Sequence, residues 1–157
     1  GEICARSNHV LKGYWSQPEA TNESIRDGWF HTGDGGYIDE DNYVTIADRK
    51  KDVIISGGEN VSSIEVEDVL FAHEQVTEVA VIGVPDEKWG ETVKALVVIE
   101  DEISEEELIE FCRTKLAHYK CPTSIEFRDE LDRTATGKLQ KYKLRAPYWE
   151  GHEKLVN

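Results

Sequence analysis

Two apolar runs organise the second half of the chain. Val79–Val84 and Thr92–Ile99 are continuous and rich in β-branched residues, which predicts two strands. Pro85-Asp86-Glu87-Lys88-Trp89-Gly90 separates them as a loop carrying an aromatic. On either side the apolar spacing turns helical. Ser62-Ser63-Ile64-Glu65 has the form of a capping box, Val61 and Val66 occupy staple positions, and Val66, Val69 and Leu70 make one stripe of a helix to about His73. Ser104 and Glu107 repeat the device, with Ile103 and Leu108 as staple, Leu108, Cys112 and Leu116 recurring at i+4, and Pro122 forbidding continuation. Val53–Ser56 and Ser124–Phe127 read as short strands, and Leu139–Leu144 as a short basic helix. The order from Val53 is β-α-β-β-α-β, an α+β unit expected to close as a small sheet with helices packed on one face.

The first fifty residues follow a different pattern. Glu2–Arg6 alternates, Asn8–Trp15 ends in a Gly-Tyr-Trp cluster, and Pro18–Asp27 resembles a polar loop or one helical turn. Trp29–Thr32 and Gly36–Ile38 are expected to flank a glycine-rich turn, and Asp39–Asn42 to turn into a strand over Tyr43–Ala47. This part reads as all β and too small to form a domain by itself. Asp48-Arg49-Lys50-Lys51-Asp52 is a charged run without an apolar anchor, after which the character of the chain changes.

Composition narrows the function. With 157 residues, 39% hydrophobic and 32% charged, the chain has material for a core, and general disorder is not expected. No apolar run approaches the length needed to cross a bilayer, and no leader pattern opens the chain, so neither membrane insertion nor secretion through this segment is expected. Cys4, Cys112 and Cys121 are few, odd in number and not in a C-x-x-C arrangement, which argues for a reducing cytoplasm and against a disulfide framework or a zinc site. The absence of Met, with Gly1 first, suggests a carboxy-terminal piece of a longer protein. The net charge of −14 repels nucleic acid, yet it is uneven. Residues 51–107 carry 3 basic and 16 acidic groups, while residues 108–157 carry 10 and 7. That basic tail is the part suited to meeting phosphate, or is a solvated face.

Taken singly, the glycine-bearing loops have plain explanations: Gly33, Gly35 and Gly36 as a turn, Gly57-Gly58 as a bend, Gly137 as a turn beside an ordinary lysine. Lys138 does not belong to a nucleotide-hydrolase phosphate loop, because Asp132 stands where glycine is required and Leu139 where Ser or Thr is required. No His-Glu-x-x-His and no Gly-x-Ser-x-Gly occurs. In order, however, Gly28-Trp29-Phe30-His31-Thr32-Gly33-Asp34, then Asp48-Arg49-Lys50-Lys51-Asp52, then Ser56-Gly57-Gly58-Glu59-Asn60, then Thr136-Gly137-Lys138 resembles the carboxy-terminal end of an AMP-forming acyl-CoA synthetase of the adenylate-forming superfamily. The resemblance runs from Gly1 to about Trp149.

The resemblance implies a two-step, ATP-dependent fatty-acyl-CoA ligase that uses ATP, coenzyme A and Mg2+, with the magnesium ligands outside this segment. Residues 1–49 would be terminal β-strands of a large amino-terminal domain, and 50–157 a mobile carboxy-terminal domain hinged near Lys51. Asp34 would accept hydrogen bonds from the ribose hydroxyls, and Arg49 would hold the ribose and phosphate region with its fixed fork of donors. Lys138 would be the adenylation lysine, offsetting charge between carboxylate and α-phosphate. Gly57 and Gly58 would line a pantetheine tunnel. Trp89 matches a position near that tunnel or the coenzyme A nucleotide, or else is a loop aromatic packed on the sheet. The partners implied are a small carboxylic acid, the protein's own amino-terminal domain and no nucleic acid. The segment alone is expected to be inactive, since the upstream phosphate loop, the adenine pocket and the acyl pocket are not in it. Ala135 departs from the proline often found before Thr-Gly-Lys. An aryl-, short-chain or aminoacyl-adenylating enzyme of the same superfamily stays open, as does a non-catalytic α+β interaction module.

Overall fold

In the computed structural model, which describes residues 1–152, the chain divides into two units, Gly1–Lys51 and Asp52–Asn157. The first is a four-stranded sheet organised on β3 (Trp29–Ile38), which pairs antiparallel with β1 (Glu2–Ala5), β2 (Ile25–Arg26) and β4 (Val44–Arg49). Two expectations need correction here. The glycine-rich stretch Thr32–Gly36 is not a turn; it lies inside one ten-residue strand, whose register shifts at a bulge between Gly35 and Gly36. A Cβ on Gly36 would overlap the Thr45 carbonyl, so the missing side chain serves close strand approach. Nor is the unit all β: Pro18–Ser24 forms a helix, α1, with Pro at its start and no side-chain cap at Gln17. The charged run is also partly ordered, since Asp48 and Arg49 end β4 and Asp48 is buried.

The second unit is built on the hairpin of β7 (Val76–Asp86) and β8 (Gly90–Ile99), paired over its whole length. The loop foreseen between them is shorter, because Pro85 and Asp86 still pair with Glu91 and Gly90. β5 (Ile54–Ser56) joins the start of β8, and β9 (Ser124–Phe127) runs parallel to β8 across Lys94–Val97. A strand not foreseen, β6 (Glu59–Val61), pairs back onto β5 through the two-residue turn Gly57-Gly58. Both serines cap as read, but the reciprocal half expected of Glu65 is replaced by its bonds to Lys120, and the full box is made by Ser104 and Glu107. Ser62 accepts from the Glu65 N–H to open α2 (Ser63–Phe71), and Ser104 and Glu107 exchange both bonds of a capping box to open α3 (Glu105–Arg113).

Alternation along the hairpin sorts its side chains to two faces. Val79, Val81, Val93, Ala95 and Val97 cluster with Val66 and Leu70 of α2 and Leu108 and Cys112 of α3. Ala80, Ile82, Val84 and Leu96 cluster with Leu131 and with Leu144 of α4 (Lys141–Arg145). The sheet is therefore covered on both faces, which corrects the expectation of helices on one face only. A five-residue helix has too short a period to announce which face it covers. The three cysteines are free, and burial pushes the Cys112 thiol up to about 12 and raises that of Cys121, so both are inert packing groups near neutral pH.

Candidate functional site

The residues singled out from sequence fall into three places. In the first unit, Asp34 and Arg49 are cross-strand partners of β3 and β4, with Arg49 Nε 3.4 Å from Asp34 Oδ1. Backbone register, not chance, brings this acid and base together. They line a concavity of about 350 Å³ with Glu2, Thr32, Gly33, Lys50 and Lys51. Thr32 donates its hydroxyl to the Ile3 carbonyl and accepts from the Asp34 N–H, which fixes the backbone of the acid. A carboxylate that can accept from a diol thus sits beside one guanidinium and two ammonium groups, a donor set suited to a ribose phosphate. Glu2 completes the rim. Its carboxyl is held below the usual range chiefly by the hydrogen bond with His31, with Lys50 adding to the effect.

The residues on both sides of Lys51 are anchored, one through its backbone and one through its side chain. The Lys50 N–H donates to the Gly33 carbonyl within the first unit. Asp52 pairs with Arg145 of α4 at 3.6 Å within the second, with both side chains largely covered. Lys51, where the sequence places a hinge, lies between these two attachments.

The second place is the β5–β6 turn. Gly57 and Gly58 both have positive φ, +60° and +89°, the pair of values that lets two strands turn in two residues. The indole of Trp89 lies against Gly57, where a Cβ would collide with the ring, and the Gly57 N–H donates to the Trp89 carbonyl at 2.9 Å. Gly57, Gly58 and Trp89 therefore form one edge. It borders two clefts, about 730 Å³ on the side of Gly58, Glu91 and Tyr148 and about 360 Å³ on the side of Gly57, Tyr119 and Thr123. Lys88 stacks over the Trp89 ring at 4.4 Å.

Lys138 is the third place, and it is apart from the second. It is exposed on a tight turn whose Arg133 bonds Glu78, near the first residues of β7. Trp89 sits in the turn at the other end of β7. The eight residue-to-residue steps from Glu78 to Asp86 span about 27 Å at the usual rise per residue. The lysine and the glycine edge thus occupy opposite ends of one hairpin.

Residues 65–138 match the AMP-binding enzyme C-terminal domain family. This segment is an AMP-binding enzyme C-terminal domain. The likeness continues beyond it. The chain is 50% identical over 149 residues to the long-chain-fatty-acid–CoA ligase FadD13 of Mycobacterium tuberculosis, covering 94% of this chain and 30% of that protein. It is 51% identical over 147 residues to a feruloyl-CoA synthase of Amycolatopsis sp., covering 92% and 30%. Among solved structures, ATP-bound MatB from Rhodopseudomonas palustris superposes with a TM-score of 0.89 at 42% identity, over 98% of this chain and 31% of that one. The chain thus spans about 30% of the length of the curated relatives it matches.

Sequence reasoning missed several contacts of this AMP-binding enzyme C-terminal domain and the strands before it. The Asp52–Arg145 anchor joins residues 93 positions apart, and no spacing rule announces such a pair. Glu2, Cys4 and His31 bring ligand atoms within 4.8 Å of one another, the one such cluster among the described residues. Lys50 and Arg26 lie 3.3 and 3.9 Å from the same Glu2 oxygen and already offset its charge. A thiol–imidazole set is also the wrong chemistry for magnesium, which prefers oxygen ligands.

Proposed function

We propose that this chain is the carboxy-terminal part of an AMP-forming, ATP-dependent fatty-acyl-CoA ligase. A substrate carboxylate oxygen attacks the α-phosphorus of ATP, the bond to the β-phosphate oxygen breaks, and pyrophosphate leaves. In the second step the coenzyme A sulfur, having lost its proton, attacks the acyl carbon. The carbon–oxygen bond to AMP breaks, and AMP leaves with the electron pair. Asp34 and Arg49 hold the ribose and phosphate, Lys138 offsets the charge gathering during the first step, and the Gly57–Gly58–Trp89 edge guides the pantetheine arm in the second. Mg2+ accompanies ATP on ligands outside this chain. The large amino-terminal domain supplies the acyl and adenine pockets, and the enzyme works in the cytoplasm. No helix of the described residues is long and apolar enough to cross a membrane.

One observation carries the reading: the ammonium group and the bare glycine edge stand at opposite ends of the β7–β8 hairpin. Two groups that far apart serve a single active centre only in turn, by rotation about Lys51. The feruloyl-CoA synthase likeness favours a second reading, in which the acid is aromatic.

In the full-length protein, Lys138→Ala should slow pyrophosphate release a few hundredfold or more, about 3–4 kcal/mol of lost transition-state stabilisation. Thioester formation from supplied acyl-adenylate should stay near wild type. Gly58→Leu, forced to positive φ and intruding on the edge, should show the reverse pattern. Equal losses in both half-reactions for either variant would overturn the assignment. Mass spectrometry of products from a mixed pool of fatty and aryl acids separates the two acid classes.

A further inference from the structure

The turn that carries Lys138 is short of rigid material. Thr134-Ala135-Thr136-Gly137 contains no proline, and Ala135, Thr136 and Gly137 are exposed. Its order comes from bonds around Arg133. The Thr134 N–H donates to the Lys138 carbonyl at 2.8 Å, the Lys138 N–H donates to the Thr134 hydroxyl at 3.1 Å, and Arg133 bridges to Leu139 across the base. The Arg133 guanidinium then spans two elements. Nη1 donates to the Gly137 carbonyl at 2.8 Å, while Nη2 and Nε donate to Glu78 Oε2 at 2.6 and 3.1 Å. Glu78 in turn sits on β7 between strand residues paired through the hairpin, opposite Val98.

We propose that Arg133 and Glu78 are positioning residues for the adenylation lysine, an inference that rests on the function proposed above. The guanidinium fork ties the residue immediately before Lys138 to β7, a strand of the central hairpin. The planar fork reaches Glu78 and the Gly137 carbonyl from separate nitrogens, whereas a lysine ammonium on a shorter stem would have to serve both from one point. As a stability element the pair is weak, because both side chains are about two-fifths to one-third exposed and such ion pairs are largely screened. Its consequence lies instead in where the lysine stands, since small misplacements of a catalytic group cost rate far more than they cost fold.

The test uses the full-length protein with Arg133→Ala, Arg133→Lys, Glu78→Gln and the Arg133→Ala/Glu78→Gln double variant, with Lys138→Ala alongside. Arg133→Ala should lower kcat for pyrophosphate release about tenfold or more while KM for ATP and thioester formation from supplied acyl-adenylate change less than about twofold. Arg133→Lys should recover only part of the loss. Glu78→Gln should lose less than Arg133→Ala, and the double variant should be no worse than Arg133→Ala, because the two residues act through one contact. Adenylation within about twofold of wild type in Arg133→Ala, or equal losses in both half-reactions in Arg133→Lys and Glu78→Gln, overturns the proposal. A Lys138→Ala variant that still adenylates normally overturns the functional reading itself, whereas a dead Lys138→Ala beside a normal Arg133→Ala overturns only the positioning role.

Discussion

In the first unit a ten-residue strand hydrogen-bonds to three others, yet no apolar side chain of Gly1–Lys51 is buried. Tyr37, Ile38, Tyr43, Val44 and Ile46 all stand more than half exposed along β3, β4 and the turn between them. In the second unit the sheet is of similar size, but Val79, Val81, Val93 and Val97 on one face and Ala80, Ile82 and Leu96 on the other are nearly inaccessible. Backbone pairing is common to both; burial is not. Since apolar area removed from water is the dominant favourable term in folding, the second unit has a core to hold it together, and the first rests on backbone pairing with its apolar side chains exposed. The chemistry divides the same way. Asp34 and Arg49 are fixed by cross-strand register, whereas Lys138 and the glycine edge are fixed by attachment to a packed hairpin.

Separating the units tests this contrast with the largest effect. Residues 52–157 produced alone should melt cooperatively, with slow amide exchange along β7 and β8. Residues 1–51 produced alone should show no cooperative transition and no protected amides. Protection of the β3 amides in the isolated first unit would break the contrast.

Single truncations sharpen it within the whole chain. Leu108, fully buried between α3 and the sheet, should cost about 2–5 kcal/mol when changed to Ala. Ile46→Ala, at a side chain 57% exposed on β4, should stay within about 0.5 kcal/mol. Urea denaturation followed by far-UV circular dichroism measures both. A cost at Ile46 comparable with that at Leu108 would mean that the outer face of the first sheet is covered.

The same contrast decides what could be read from sequence. The strands of the β7–β8 hairpin were legible because residues buried on both faces leave an uninterrupted apolar run, and α2 and α3 because Ser62 and Ser104 announce their starts. In the first unit the period is weak, since no apolar side chain is buried to enforce it. Thr32–Gly36 carries three glycines and reads as a turn, although the strand runs through it by means of a bulge and a close approach at Gly36. β6 was invisible because Glu59-Asn60-Val61 is short and mostly polar, and its pairing depends on a turn whose two glycines also read as a simple bend. The candidate site was legible as an ordered series of motifs. What joins them was not, because Arg133–Glu78 and Arg145–Asp52 are contacts between residues far apart in the chain.

The smallest effect contrasts two helix starts. α3 begins at Ser104, whose hydroxyl accepts from the Glu107 N–H while the Glu107 carboxylate accepts from the Ser104 N–H. α1 begins at Gln17, which makes no side-chain cap bond. Ser104→Ala should therefore cost about 1 kcal/mol, and Gln17→Ala close to nothing. The difference carries a pH signature whose sign follows from Glu107. Its carboxyl is held below the ordinary value of 4.5, first by the Ser104 N–H and then by the Ser104 hydroxyl. A carboxylate with a depressed value in the folded state adds stability that is fully present above the ordinary value and fades as acid protonates it. The gap between wild type and Glu107→Gln should accordingly be flat from neutral pH down to about 4.5 and close below it. Thermal unfolding of residues 52–157 across that range measures the gap. A gap that widens on acidification would show that the box does not hold the carboxylate in its charged form, and the helix start would then depend on the Ser104 hydroxyl and the Ile103–Leu108 staple.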